Sequence, residues 1–320
     1  MLKDMMASFD LQQASSVADA LKHMKKAGKD GWVMAGGNDS LTWFKDRVKQ
    51  PKTVIDITGI AALKGIRETA DGVEIGALTS LTEVVGNAVI KSKFGLLADA
   101  AGQVASPQIR NTGTMGGNLA QDTRCWYYRG GLPCYRAGGN TCYADTPTGM
   151  NREHTIFNAN RCVAVSNSDV APALVALDAK MVIQNEGGTT VVDAEKFYIG
   201  PGVDITRMTV LKPGDILTAI RIPNTWAGAT FYFEKVADRK VWDFPLVNVA
   251  AAMKVSGGTI SEMRIAVGGV EAVPKRLQVV EDLAKGQKKG ADIAKGAGKA
   301  SSGGAKPLNF NHFKIPLLEN

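Results

Sequence analysis

No stretch of this 320-residue chain reaches the roughly 18 apolar residues that a membrane-spanning helix needs. Nor does Met1 to Asp10 hold a basic segment followed by an apolar one, the mark of a secretory leader. The sequence therefore predicts no direct membrane insertion and a cytoplasmic location, a periplasmic one requiring a partner subunit that carries the signal. Charge of one sign is in modest excess, a formal +7. From Lys275 to Lys306 eight basic residues face three acidic ones, so five of the seven surplus charges lie there. That stretch has no interleaved aromatics, which argues against nucleic acid as a partner. Histidine is scarce, at three residues. His23 falls on a predicted helix, and His154 sits in a loop that it can order by hydrogen bonding. Neither they nor His312 is placed as a general base, and no side chain is expected to be the catalyst for an organic substrate. At 45% hydrophobic and 22% charged, the chain is too apolar for disorder and long enough for two or three compact units.

Cysteine is sparse too, but its placement is informative. Cys125, Cys134, Cys142 and Cys162 are the only four, separated by eight, seven and nineteen residues. Three readings compete. Disulfides are not needed by a chain with a large core and no secretory signal. Structural zinc usually takes short Cys-x2-Cys knuckles, and none is present. A cubane iron–sulfur cluster presents well-separated corners and accepts thiolates from widely spaced loop positions. The neighbourhood favours the third reading. Arg124, Arg129, Arg136, Arg152 and Arg161 could offset the negative charge of a thiolate-ligated cluster, and Trp126, Tyr127, Tyr128, Tyr135 and Tyr143 could shield it from water.

Two glycine loops frame this window. Val17, Leu21 and Met24 fall at helical spacing, capped by Ser15 or Ser16 and closed near Gly28, and a strand follows over Trp32 to Ala35. The strand runs into Gly36-Gly37-Asn38-Asp39-Ser40-Leu41, where paired glycines would let backbone amides approach an anion, or merely form a turn. It is neither a Walker loop nor the Gly-x-Gly-x-x-Gly fingerprint. The second loop, Thr112-Gly113-Thr114-Met115-Gly116-Gly117-Asn118-Leu119, repeats the small-residue chemistry just before the first cysteine. Strands at Thr53 to Ile57 and Val73 to Ala77 and a helix from Phe94 to Val104 make an α+β pattern. Ser168-Asp169 then opens a helix, with Asp169 either a plain cap or a ligand contact, followed by a hairpin around Asn185 to Gly188 and a strand ending at Pro223. Beyond Trp226 three antiparallel strands are expected, at Thr230 to Val236, Leu246 to Val255 and Met263 to Val270.

The ordered set Ala35 to Leu41, Ile75-Gly76-Ala77, Ser106 to Asn111 with Thr114 to Asn118, Ser168-Asp169 and Glu234-Lys235-Val236 resembles the FAD-binding subunit of the molybdenum hydroxylases, the xanthine dehydrogenase family. The resemblance runs over most of the chain. It implies an FAD-binding fold of the vanillyl-alcohol-oxidase (PCMH) type in two α+β subdomains over residues 1–225, with the cysteine-rich insertion at about 122–163. A C-terminal domain of a small antiparallel sheet and helices would fill 226–320. By the same resemblance Met34, Ala35, Gly36, Gly37, Asn38, Asp39, Ser40 and Leu41, together with Thr112, Thr114, Gly116, Gly117 and Asn118, would wrap the FAD pyrophosphate. Asp169 would contact the adenosine portion, Leu217 would pack nearby, and Lys235 would sit near the flavin ring. Asn38 and Ser40 stand where the family often has Thr and Leu. The chain is similar in its insertion to the flavin subunits of 4-hydroxybenzoyl-CoA reductase and of aldehyde oxidoreductases of the PaoABC type, which carry a four-cysteine [4Fe-4S] loop. That similarity makes Cys125, Cys134, Cys142 and Cys162 the expected cluster ligands.

The implied role is electron transfer among FAD, the chain's own [4Fe-4S] cluster and an external carrier, ferredoxin foremost. A molybdopterin-containing large subunit and a small [2Fe-2S] subunit would be partners, in a dimer of heterotrimers, because this chain has no Cys-x4-Cys-x2-Cys run and no room for a molybdenum site. The holoenzyme would oxidise an aldehyde, or hydroxylate or dehydroxylate an aromatic or heteroaromatic substrate. Two rivals make different predictions: a zinc-stabilised assembly subunit would be colourless, and a self-contained FAD oxidase would turn over alone.

Overall fold

The computed structural model describes residues 5–320. Near the amino terminus the helix Val17–Ala27 forms as its spacing predicts. Ser16 caps it by accepting from the Asp19 amide at 3.1 Å, Gly28 ends it at φ +56°, and its buried face is Ala20 and Met24. That face covers a parallel sheet of β1 (Asp10–Gln13), β2 (Gly31–Met34) and β3 (Thr53–Asp56), with β3 in the middle. Ile55, Ile57, Leu63 and Leu78 complete this small core.

A second sheet is antiparallel and five-stranded. It contains β4 (Ile66–Thr69), β5 (Gly72–Gly76), β6 (Lys180–Asn185), β7 (Gly188–Asp193) and β8 (Ile216–Pro223), in the order β4-β5-β8-β6-β7. The hairpin closes where Asn185 faces Gly188. Helices Leu81–Gly86, Gly95–Gly102 and Val170–Ala176 supply apolar surface to the core of this sheet. A Ser80/Glu83 capping box starts the first of them. All seven residues of Val170–Ala176 are buried, which follows from its unbroken run of small and apolar side chains.

The carboxy-terminal third builds a four-stranded antiparallel sheet from β9 (Thr230–Val236), β10 (Val247–Ser256), β11 (Thr259–Gly268) and the short β12 (Lys275–Arg276), in the order β12-β11-β10-β9. Phe233, Ala250, Ala252 and Ala266 of this sheet belong to the same buried cluster as Val170–Ala176 and β5, so one core runs through both parts. The basic stretch after Lys275 folds into helices Gln278–Ala284 and Ala291–Ser301.

Residues 122–163 are largely irregular, with one turn of helix at Trp126–Arg129 and a tighter one at Tyr135–Ala137. They are nevertheless anchored. Tyr128 packs 5.3 Å from the Trp43 ring, Arg129 lies 4.1 Å over that ring, and the Ile156 amide reaches the Val270 carbonyl at 2.9 Å.

Candidate functional site

The first glycine loop leaves β2 and turns into the helix Ser40–Lys45. Gly37 has φ +77°, which favours glycine. Gly36 is fixed by space, since a Cβ there would stand 1.9 Å from the Thr112 carbonyl oxygen. The two glycine loops therefore touch through bare backbone. Asn38 ties them further, its Nδ2 donating to Thr112 Oγ1 at 3.1 Å and to the Ile109 carbonyl at 3.3 Å. Trp32 Nε1 donates to Ser40 Oγ at 2.9 Å, and the Leu41 amide bonds the Gly37 carbonyl. Among the described residues, the backbone N–H groups of Gly36, Gly37, Asn38, Asp39 and Ser40 make no hydrogen bond. Successive free donors around a left-handed residue are the kind of backbone on which an anion can be held.

The second loop is built differently. Gly113 bonds Ile109, Met115 bonds Thr79, Gly116 bonds Ala77, and Asn118 bonds the Thr114 carbonyl, while the Gly117 amide donates to Thr114 Oγ1. All but the Thr114 amide are spent inside the protein. What the loop offers outward is side chains: Thr112 beside Asn38, and Asn118, whose Oδ1 accepts from Ser168 Oγ at 2.5 Å. Met34 ends β2, and Ala35 packs on the small amino-terminal core.

Asp169 is 2% exposed and occupies the N-cap of the following helix without a side-chain cap bond, which Ser168 Oγ supplies instead by accepting from the Ala171 amide at 3.1 Å. The plain-cap reading of Asp169 is thus corrected. Its carboxylate accepts instead from Lys235 Nζ at 2.7 Å and Asn248 Nδ2 at 3.1 Å. Burial pushes this carboxyl up to about 6, against the opposing pull of Lys235. Lys235 also donates to the carbonyls of Gln103 and Asp243, at 3.0 and 2.7 Å, so the ammonium joins three segments. Asp169 and Lys235, read separately from the sequence, are one buried ion pair. Leu217 lies in β8 opposite Ile183, inside the main core.

The four cysteines, widely spaced in sequence, line a single cavity together with Tyr127, Tyr128, Tyr135, Tyr143, Arg136, Arg161 and His154. None is paired in a disulfide. Among the described residues, no three His, Cys, Asp or Glu side chains converge on one ion; the thiols stand around the cavity instead. Burial pushes the Cys125 thiol up to about 11, opposed by the amides of Tyr128 and Tyr127, and burial raises Cys162 against the pull of the Ala164 amide and Arg136. The protein alone does not stabilise these thiolates, so a cation would have to replace their protons. The arginines divide the work. Arg136 and Arg161 line the cavity, and Arg136 is held by Asp122 and by the Ile205 carbonyl at 2.7 Å. Arg124 and Arg129 turn to Asp39 of the first glycine loop, at 3.0 and 3.2 Å. Arg152 pairs with Asp238 at the surface, and Trp126 is 65% exposed and shields nothing.

Residues 7–225 match the family described as the FAD binding domain in molybdopterin dehydrogenase, and residues 232–311 match the CO dehydrogenase flavoprotein C-terminal domain. The chain belongs to the FAD-binding medium subunits of the molybdenum hydroxylases. It is 31% identical over 98% of its length to the aldehyde oxidoreductase FAD-binding subunit PaoB of Escherichia coli, covering 96% of that protein. It is also 31% identical over 82% of its length to the carbon monoxide dehydrogenase medium chain of Hydrogenophaga pseudoflava, covering 75% of it. A solved structure of carbon monoxide dehydrogenase from that organism superposes with a TM-score of 0.79 at 26% identity, over 98% of this chain and 94% of the other. The FAD-binding α+β fold with its carboxy-terminal antiparallel sheet, expected from the sequence, is the fold of this medium subunit. No helix among the described residues is long and apolar enough to cross a membrane.

Some site residues of this flavoprotein subunit carried no signal in the sequence. Asn248, which completes the Asp169 pair, lies 79 residues away in β10. Asn311 and Lys314, both fully buried, donate to the His154 carbonyl from just before and at the start of the final helix Lys314–Glu319, each at 3.0 Å. His154 itself is buried, 4% exposed, with Nε2 3.3 Å from Cys125 Sγ. Burial and Lys314 push its imidazole down to about 4.

Proposed function

We propose that this chain is the electron-transfer subunit of a heteromeric molybdenum hydroxylase, holding FAD against the first glycine loop and a [4Fe-4S] cluster on Cys125, Cys134, Cys142 and Cys162. When bound, the two groups would supply two-electron and one-electron exchange respectively. The free amides of residues 36–40 would receive the FAD diphosphate, with Asn38 and Thr112 setting the spacing of the two loops and Asn118 their far side. Asp169 would contact the adenosine portion with Leu217 packed nearby, and Lys235 would sit near the flavin ring, the ion pair between Asp169 and Lys235 tying the two positions together. The division of the chain falls between residues 225 and 226.

The observation that carries this reading is the convergence of four sequence-distant thiols on one cavity whose neighbouring residue, Arg124, is ion-paired to Asp39 of the flavin loop. Tyrosines and two arginines around that cavity suit a negatively charged cluster better than a mononuclear zinc, which needs its ligands at a single point. Organic chemistry would occur on a molybdopterin-containing large subunit fed through a small [2Fe-2S] subunit, in a dimer of heterotrimers with ferredoxin as the outside carrier. Likeness to an aldehyde oxidoreductase subunit over nearly the whole chain supports an aldehyde substrate ahead of aromatic hydroxylation or dehydroxylation. The complex would work in the cytoplasm, or in the periplasm if exported with a partner.

The test is purification of the native complex. About four irons per FAD beyond those of the [2Fe-2S] subunit, lost on changing any of the four cysteines to serine while flavin and the remaining iron are retained, is the expected result. A colourless zinc protein, or aldehyde turnover by the lone chain, would overturn the proposal.

A further inference from the structure

We propose that His154 donates its Nε2–H to the sulfur of Cys125 and so sets the reduction potential of the cluster, a positioning role that rests on the cluster reading above. The Nε2 atom lies 3.3 Å from Cys125 Sγ. The other ring nitrogen, Nδ1, is buried and has no partner among the described residues. A buried N–H without an acceptor costs more than a bare lone pair, because the donor loses its only hydrogen bond. The ring therefore carries a proton on Nε2, where an acceptor stands. A metal-bound thiolate has no proton to give and can only accept, so the two requirements agree.

The backbone that carries the imidazole is held from the far end of the chain. The His154 carbonyl accepts from Asn311 Nδ2 and from Lys314 Nζ, each at 3.0 Å, and Lys314 also donates to the Gly269 carbonyl at 2.6 Å. All three side chains are at most 4% exposed. The final residues of the carboxy-terminal part thus fix a group that faces a ligand in the insertion. A hydrogen bond to a ligand sulfur draws negative charge away from the cluster, favours its reduced form and raises its potential.

The experiment uses the purified complex and compares wild type with His154→Leu and His154→Phe, which lack the donor, and His154→Gln, whose amide can replace it. Iron and FAD content are measured together with the cluster midpoint potential by EPR-monitored titration. The donor-less variants should keep iron and shift to lower potential, on the order of tenfold in the reduction equilibrium, with His154→Gln restoring most of the shift. Equal potentials in all four proteins, or loss of iron in all three variants with FAD retained, would overturn the inference while leaving the cluster reading intact. A wild-type complex without iron beyond that of its [2Fe-2S] subunit would defeat the cluster reading first, and this inference with it.

Discussion

Replacing Gly36 by alanine tests whether the two glycine loops must meet backbone to backbone. A Cβ at this position would stand 1.9 Å from the Thr112 oxygen and 2.9 Å from its carbonyl carbon. Ordinary contact begins at 3.4 Å, so the loops must part by about 1.5 Å, the difference between 3.4 and 1.9. Backbone cannot swing aside as a side-chain tip can. Overpacking of this kind costs ~1–3 kcal/mol, and the two Asn38 bonds to Thr112 and Ile109 would be stretched with it, each worth about 1 kcal/mol. A loss of about 3 kcal/mol or more in the aligned state lowers FAD affinity by ~100-fold. The assay is FAD rebinding to the deflavinated complex, followed by quenching of flavin fluorescence, beside a thermal melt. Gly86→Ala is the control, because its Cβ would meet nothing within 4 Å and should leave flavin affinity unchanged. Wild-type affinity in Gly36→Ala would refute the argument.

Further outcomes follow from buried charge. Lys235→Met should cost ~3–5 kcal/mol by stranding Asp169, and adding Asp169→Asn should recover part of it; a double-mutant cycle by denaturant melts measures the coupling. Arg136→Met should destabilise the insertion by ~1–3 kcal/mol, read as faster proteolysis within residues 122–163, because the Ile205 carbonyl loses its donor and Asp122 keeps as its ion pair the longer Lys49 contact at 3.8 Å. Lys314 is pushed down to about 7 by burial from an ordinary 10.5, so between these values the unfolded chain binds a proton that the folded chain does not. Stability should therefore rise with pH over that window, by up to ~1.4 kcal/mol per unit, and be lost as pH falls toward 7. Melting temperatures of Lys314→Met should not show that rise.

Local signals were strong where one residue type does one job. Ser16 and Gly28 bound the first helix as their chemistry demands, and the Asn185–Gly188 turn closes its hairpin. Boundaries moved by a residue or two where packing decides, as in β2, which ends at Met34 because Ala35 begins the turn into the glycine loop. The glycine loops looked alike in sequence, yet one leaves its amides free and the other consumes nearly all of them, a difference set by partners such as Ala77 and Thr79 that composition does not reveal. The arginines of the insertion read as one group of counter-charges, but Asp39 claims two and Asp238 a third. His154 was the hardest to read. Its environment is made by Asn311 and Lys314, more than 150 positions along the chain, and no local pattern encodes such a meeting.

The wholly buried helix Val170–Ala176 has a consequence for how the molecule is made. It is shared property, with Leu174 and its neighbours serving the flavin-side sheet and the carboxy-terminal sheet in one continuous interior. A nascent chain that had emerged only as far as Trp226 would still lack Phe233, Ala250, Ala252 and Ala266 and would offer naked hydrocarbon to the cytosol or to a chaperone. Synthesis must therefore run almost to its end before either half is safe from aggregation, and a gene split at that point should yield insoluble fragments unless both are co-expressed.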